Sequence, residues 1–140
     1  MLHMRIAAVV VFFLFMISCD SKSLRQELIN PTDAGYLHQA VGRLNDVVIY
    51  DIFSPPVASR VYAYSTLALY ETSRWMDTGY GSITAKLAGF PVMPEPDPGK
   101  KYDFRVAGIK AFFSVTQKLT FTKDSSRITE EAILGSMKEG

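Results

Sequence analysis

Acid–base and metal chemistry at neutral pH draws on histidine, thiols and clustered carboxylates. This chain is short of the first two: in 140 residues it has two histidines, His3 and His38, and one cysteine, Cys19. His38 lies between Leu37 and Gln39 at the edge of an apolar helical stripe and reads as a half-buried edge residue rather than a ligand. The carboxylates Glu71, Asp77, Glu95, Asp97 and Asp103 could line a cleft, but most fall in turn-rich stretches and suit turns and caps equally well. No glycine-rich phosphate loop follows a strand, and no nucleophile elbow occurs. The residues therefore nominate no catalytic, cofactor-binding or metal-ligating set. Tyr62, Tyr64, Tyr70, Trp75 and Tyr80 could stack a ligand, yet at helical spacing among Val, Leu and Ala they read as core with hydroxyls at its edge.

Two positions carry sharper expectations. Cys19 closes an apolar run, Ile6–Ile17, that follows the basic start Met-Leu-His-Met-Arg. A basic segment and about 7–15 apolar residues make a secretory leader, and the run falls short of the roughly 20 residues needed to span a bilayer. The ending Met16-Ile17-Ser18-Cys19 is similar to the bacterial lipobox, whose cysteine becomes the lipid-modified first residue. As the sole cysteine, Cys19 can form no internal disulfide, in keeping with a thiol consumed by lipidation. The competing reading is a plain cleaved signal or an uncleaved anchor. We expect residues 1–18 to be a lipoprotein signal peptide and residues 19–33 the lipidated cysteine and its polar tether. The protein would be exported and held to a membrane of the bacterial envelope through that lipid.

The second position is Asp51. It sits near the end of a predicted helix, within about 40° of the centre of the apolar stripe at roughly 100° per residue. The helix macrodipole disfavours an anion there. A carboxylate set against both preferences calls for a cation, and Arg60, just past the next corner, is the expected partner in a structural pair.

The elements around these residues are helical. Leu37, Val41, Leu44 and Val48 repeat at spacings of four, three and four, predicting a one-sided helix over residues 34–52. Thr32 and Asp33 are its N-cap candidates. Ser54-Pro55-Pro56 forces a corner, because a residue before proline leaves the α region, and proline then opens the next helix well. That helix, to about Met76, is apolar on both flanks and is expected to be the central element. Residues 80–87 predict a short helix or turn, and the four prolines between Gly89 and Gly99 a stiff connector. Helical spacing resumes over Phe104–Leu119, and Asp124-Ser125-Ser126 should cap a last helix with Ile128, Ala132 and Ile133 facing in. No alternating stretch argues for a sheet. Lys and Arg number 15 and Asp and Glu 14, so with Arg5 assigned to the leader the remainder is formally neutral. That balance, without a basic block, excludes nucleic acid as a partner on bulk charge.

Three segments bear a resemblance. Leu37–Ala40, Val48–Tyr64 (VIYDIFSPPVASRVYAY) and Ala68–Glu71 resemble the N-terminal region of bacterial vanadium-dependent haloperoxidase-related lipoproteins, which belong to the type 2 phosphatidic acid phosphatase superfamily. Gly89-Phe90-Pro91, Pro94-Glu95-Pro96 and Ala107–Leu119 fit the same pattern. The resemblance implies an all-α fold, a helical bundle fragment of the acid phosphatase/vanadium haloperoxidase type with a Pro-rich connector, and vanadate as cofactor of the full-length family. It also implies peroxidase or phosphatase activity for full-length members. The family's catalytic signatures are Lys-x6-Arg-Pro, then Pro-Ser-Gly-His, then Ser-Arg-x5-His-x3-Asp. This chain has no Arg-Pro pair, no Pro-Ser-Gly-His and no histidine after His38, so no catalytic residue carries over and no cofactor is expected in it. Residues 34–140 are therefore expected to be the N-terminal helical part of a larger all-α domain, partnered by C-terminal helices of the same fold and inactive alone. The alternative is a complete lipid-anchored helical binding or interaction module; a small hydrolase built on the loop carboxylates is a third, poorer fit.

Overall fold

A computed structural model describes residues 34–77 and 79–139. The segments expected to be leader and tether lie outside the described residues, as do Cys19, Thr32 and Asp33. Among the described residues all regular structure is helical: α1 Gly35–Tyr50, α2 Pro55–Ser73, α3 Phe104–Leu119 and α4 Lys123–Glu139. A 3-10 turn, Arg74–Met76, prolongs α2, and another, Thr84–Lys86, falls within the stretch expected to turn. None of these helices is long and apolar enough to cross a membrane.

α1 stops through its own backbone. The Phe53 N–H donates to the Val48 carbonyl at 3.2 Å and the Ile52 N–H to the Ile49 carbonyl at 3.1 Å. These are the paired bonds of a Schellman stop, and Phe53 packs against the core cluster that includes Val48. The residue that must turn left-handed is normally glycine; here it is Ile52, at φ +53°. Ser54 then adopts an extended conformation and its carbonyl accepts from the Val57 and Ala58 N–H groups, both at 2.9 Å, so Pro55 opens α2 where no donor is missed. α3 begins at Asp103, whose carboxylate accepts from the N–H groups of Arg105 and Val106.

α3 holds the centre, and this corrects the expectation that α2 would. Ile109, Phe112 and Phe113 of α3 are fully buried and pack with Tyr36, Ala40, Leu44 and Val48 of α1, Val61 of α2 and Ile133 of α4. α2 buries only Val61, Ser65 and Glu71, while Val57 and Tyr64 lie at the surface. Hydropathy on both flanks shows what a helix could bury; a neighbour decides what it does bury, and α2 has its principal neighbour, α3, on one flank. The inward face of α1 is likewise rotated from the expected stripe. Leu44 and Val48 of that stripe are buried as expected, but Tyr36, Ala40 and Val47 join them, and Val41 is exposed.

α2 and α3 run antiparallel and close. A Cβ on Gly108 would collide with the Ser73 hydroxyl, and the Thr116 hydroxyl donates to the Ser65 hydroxyl at 3.0 Å with both residues fully buried. α4 joins the bundle through Glu130, which takes Lys110 at 2.9 Å and the Gln117 amide at 2.8 Å. It begins at Lys123, so Asp124, Ser125 and Ser126 occupy its first turn instead of capping it. Of its three expected inward residues only Ile133 is buried; Ile128 and Ala132 are exposed.

Candidate functional site

The carboxylates organise the loops. Glu71, near the end of α2, is 7 % exposed. Its Oε1 accepts from the Ile83 N–H at 2.7 Å and the Thr84 N–H at 2.9 Å. The Ser82 hydroxyl donates to the same carboxylate, and Arg74 pairs with Oε2 at 3.1 Å. Arg74 in turn lies 4.1 Å over the Trp75 ring. Burial pushes the Glu71 carboxyl up. The Thr84 N–H, the Ser82 hydroxyl, the Ile83 N–H and the Arg74 charge together outweigh it and hold the group below the usual glutamate range.

Asp51 has different partners from the one expected. Its Oδ2 accepts from the Phe121 N–H at 2.7 Å and the Thr122 N–H at 3.3 Å, and its Oδ1 takes the Thr122 hydroxyl. Among the described residues no ion pair joins Asp51 to Arg60, which is exposed in the first turns of α2. The structural pair is corrected to Asp51 with the α3–α4 loop. Two loop N–H groups and a hydroxyl stabilise the carboxylate in place of a cation, and they lie where the bundle's end brings residue 121 against residue 51. Burial acts to raise the Asp51 carboxyl, but the Thr122 hydroxyl and the two N–H groups bring it below its ordinary value.

The remaining candidates are turn and cap residues. Asp77 accepts from the Gly79 N–H and Asp97 from the Gly99 N–H, each at 2.9 Å. Asp103 caps α3; the Arg105 side chain lowers its carboxyl, burial opposes this, and the Val106 and Arg105 N–H groups add to the lowering. Glu95 lines a groove of about 260 Å³ between the Pro-rich connector and the 82–85 turn, with Arg74, Phe90 and Met93. His38 is exposed, not half-buried. The Tyr62 hydroxyl reaches Asn45 and the Tyr70 hydroxyl the Gly81 carbonyl, both at 2.9 Å, so these aromatics serve helix and turn contacts and form no shared platform. Among the described residues no group of three His, Cys, Asp or Glu side chains could hold a metal ion.

These features define a class: an all-helical bundle whose polar chemistry is spent on latching turns. No family model matches the chain, and no curated protein matches it. Among solved structures it is similar to the crystal structure of the first bacterial vanadium-dependent iodoperoxidase, with 29 % sequence identity and a TM-score of 0.65. The match covers 79 % of this chain and 29 % of that one, so the chain spans under a third of its neighbour's length. The fold is thus an all-α fragment of vanadium haloperoxidase type.

The described residues do not fit vanadate. An oxyanion of that charge needs several convergent cationic or N–H donors. Four of the five described arginines are engaged apart from one another: Arg43 serves Asp46 and Thr129, Arg74 serves Glu71, Arg105 serves Asp103, and Arg127 serves Asp124 and Glu131, while Arg60 is exposed on α2.

Sequence reasoning missed the role of Glu71 in the fold. The signal was present: a glutamate on an otherwise apolar helix, three residues before an arginine, with Ser82-Ile83-Thr84 a short loop away.

Proposed function

We propose that this chain is the N-terminal scaffold segment of a lipid-anchored vanadium haloperoxidase/acid phosphatase-like protein, without catalytic motifs of its own and inactive alone. The observation that supports it most is the likeness to the iodoperoxidase, which runs over most of this chain but a minor share of that protein. In this reading the surface-lying flank of α2, with Val57 and Tyr64, receives further helices of the same fold, and vanadate belongs to those helices. Attachment to the membrane is through a lipid on Cys19, following cleavage after Ser18.

The 140-residue chain should give no phosphate release and no vanadate-dependent iodide or bromide oxidation with hydrogen peroxide. Turnover in either assay would overturn the assignment as an inactive scaffold. The reading frame beyond the Gly140 codon should encode Pro-Ser-Gly-His and a later His-x3-Asp; a natural stop with no such remnant would favour the free-standing module. Growth on radiolabelled palmitate should label the protein, and Cys19→Ser should abolish the label.

A further inference from the structure

The α1–α2 corner and the α3–α4 loop lie side by side, joined by the Asp51 bonds to residues 121 and 122 and by an edge-to-face contact of Phe53 with Phe121 at 5.4 Å. From this end of the bundle Ile52 projects 89 % exposed, Phe121 79 %, Tyr50 76 % and Ile49 67 %. Ile49, Tyr50 and Ile52 are close neighbours along the end of α1 and Phe121 is tied to that end by the Asp51 bond, and large apolar side chains this bare mark an interaction surface. Ile52 adds a second observation. It sits in the left-handed region, which disfavours a β-branched residue, so an exposed apolar side chain is kept at the turn's tip against the backbone's preference for glycine.

The charges around the tip identify the partner. Lys118 and Lys123 flank Phe121 in sequence, and Arg60 lies about one and a half turns into α2; all three are exposed, and none forms an ion pair among the described residues. The nearby carboxylates are engaged: Asp51 with the loop N–H groups, Asp46 with Arg43, Asp124 with Arg127. Lysine is depleted from protein–protein interfaces, whereas apolar tips with a basic rim are what an anionic bilayer surface accepts. We propose that this corner is a membrane-surface contact, Ile52 and Phe121 entering the headgroup boundary of an anionic bilayer with Lys118, Lys123 and Arg60 at the lipid phosphates. The contact is compatible with the scaffold reading where the further helices pack on the α2 flank and leave this end of the bundle bare.

The test places a single tryptophan, in a Trp75→Phe background of the full chain, at Ile52→Trp or at Gly135→Trp on the far part of α4, where a side chain meets nothing within 4 Å. Both proteins are bound to vesicles of brominated phosphatidylcholine with phosphatidylglycerol. Quenching at position 52 and not at 135 is expected. Lys118→Gln with Lys123→Gln should raise the vesicle concentration needed for half-quenching about five-fold per lysine. Equal quenching at both positions, none at 52, or undiminished quenching in purely zwitterionic vesicles would overturn the proposal. So would a concentration-dependent blue shift at position 52 without vesicles, which would assign the patch to a second copy of the chain. Circular dichroism of each variant separates loss of contact from loss of fold.

Discussion

Glu71 and Asp51 do the same job in opposite settings. Each gathers two consecutive loop N–H groups and a hydroxyl, but Glu71 is buried and reaches 11–13 residues ahead, while Asp51 is partly solvated and reaches 70. Only the buried latch adds a cation, Arg74. A carboxylate taken out of water must recover its lost hydration from charge as well as hydrogen bonds, and one still wetted can be satisfied by dipoles alone. The local latch secures one turn. The distant one ties the end of α1 to the far side of the bundle.

Removing the buried latch should cost most. Glu71→Ala strands a nearly buried guanidinium and two loop N–H groups, and equilibrium urea unfolding should show a loss of about 3 kcal/mol or more. Asp51→Ala removes bonds whose donors water can partly recover, for a loss of about 1–2 kcal/mol. Equal losses would break the distinction between the two settings.

The acid limb of stability follows next. Both carboxyls lie below their ordinary values of 4.5 and 3.8 in the folded protein, so their contribution is complete above those values. It is lost as pH falls through the lower folded values, because protonation removes the acceptors the loops depend on. Urea midpoints measured between pH 7 and pH 3 should fall on the acid side. The fall should be shallower in Glu71→Gln, and less altered in Asp51→Asn. Ile52→Gly should have the smallest effect and the opposite sign. Relief of the left-handed strain, less the added freedom of the unfolded chain, predicts a gain of about 0.5–1 kcal/mol at the Asp51 corner.

Much of this architecture was legible in the chain. Phe104–Leu119 emerges with the expected bounds, the proline corner falls at Ser54–Pro56, and the 80–87 stretch holds its short turn. These are decided by local terms: proline's ring, capping groups and helical periodicity. The errors share a cause in tertiary contact. The sequence offers Asp51 a cation just past the next corner, Arg60, whereas backbone N–H groups, which no composition reveals, arrive from residues 121 and 122. α2 was placed at the centre on its hydropathy, yet α3 has the neighbours. Tyr36 and Ala40 carry too little apolar signal to outvote Leu37 and Val41, although the bundle buries the former pair.

The α2–α3 seam has a consequence for register. Ser65 meets Thr116 and Ser73 meets Gly108, and the two pairs stand eight residues apart on both helices, about 12 Å of axis. A one-turn slip would set the Thr116 hydroxyl against Leu69 or Val61, leaving a donor without an acceptor. It would also carry Gly108 away from Ser73, so that another side chain meets the tight spot. The seam therefore works as a key with two teeth, admitting one axial setting of α3 on α2. That setting brings the start of α3 beside the end of α2 and its last turn to the level of Ser65, short of the proline corner.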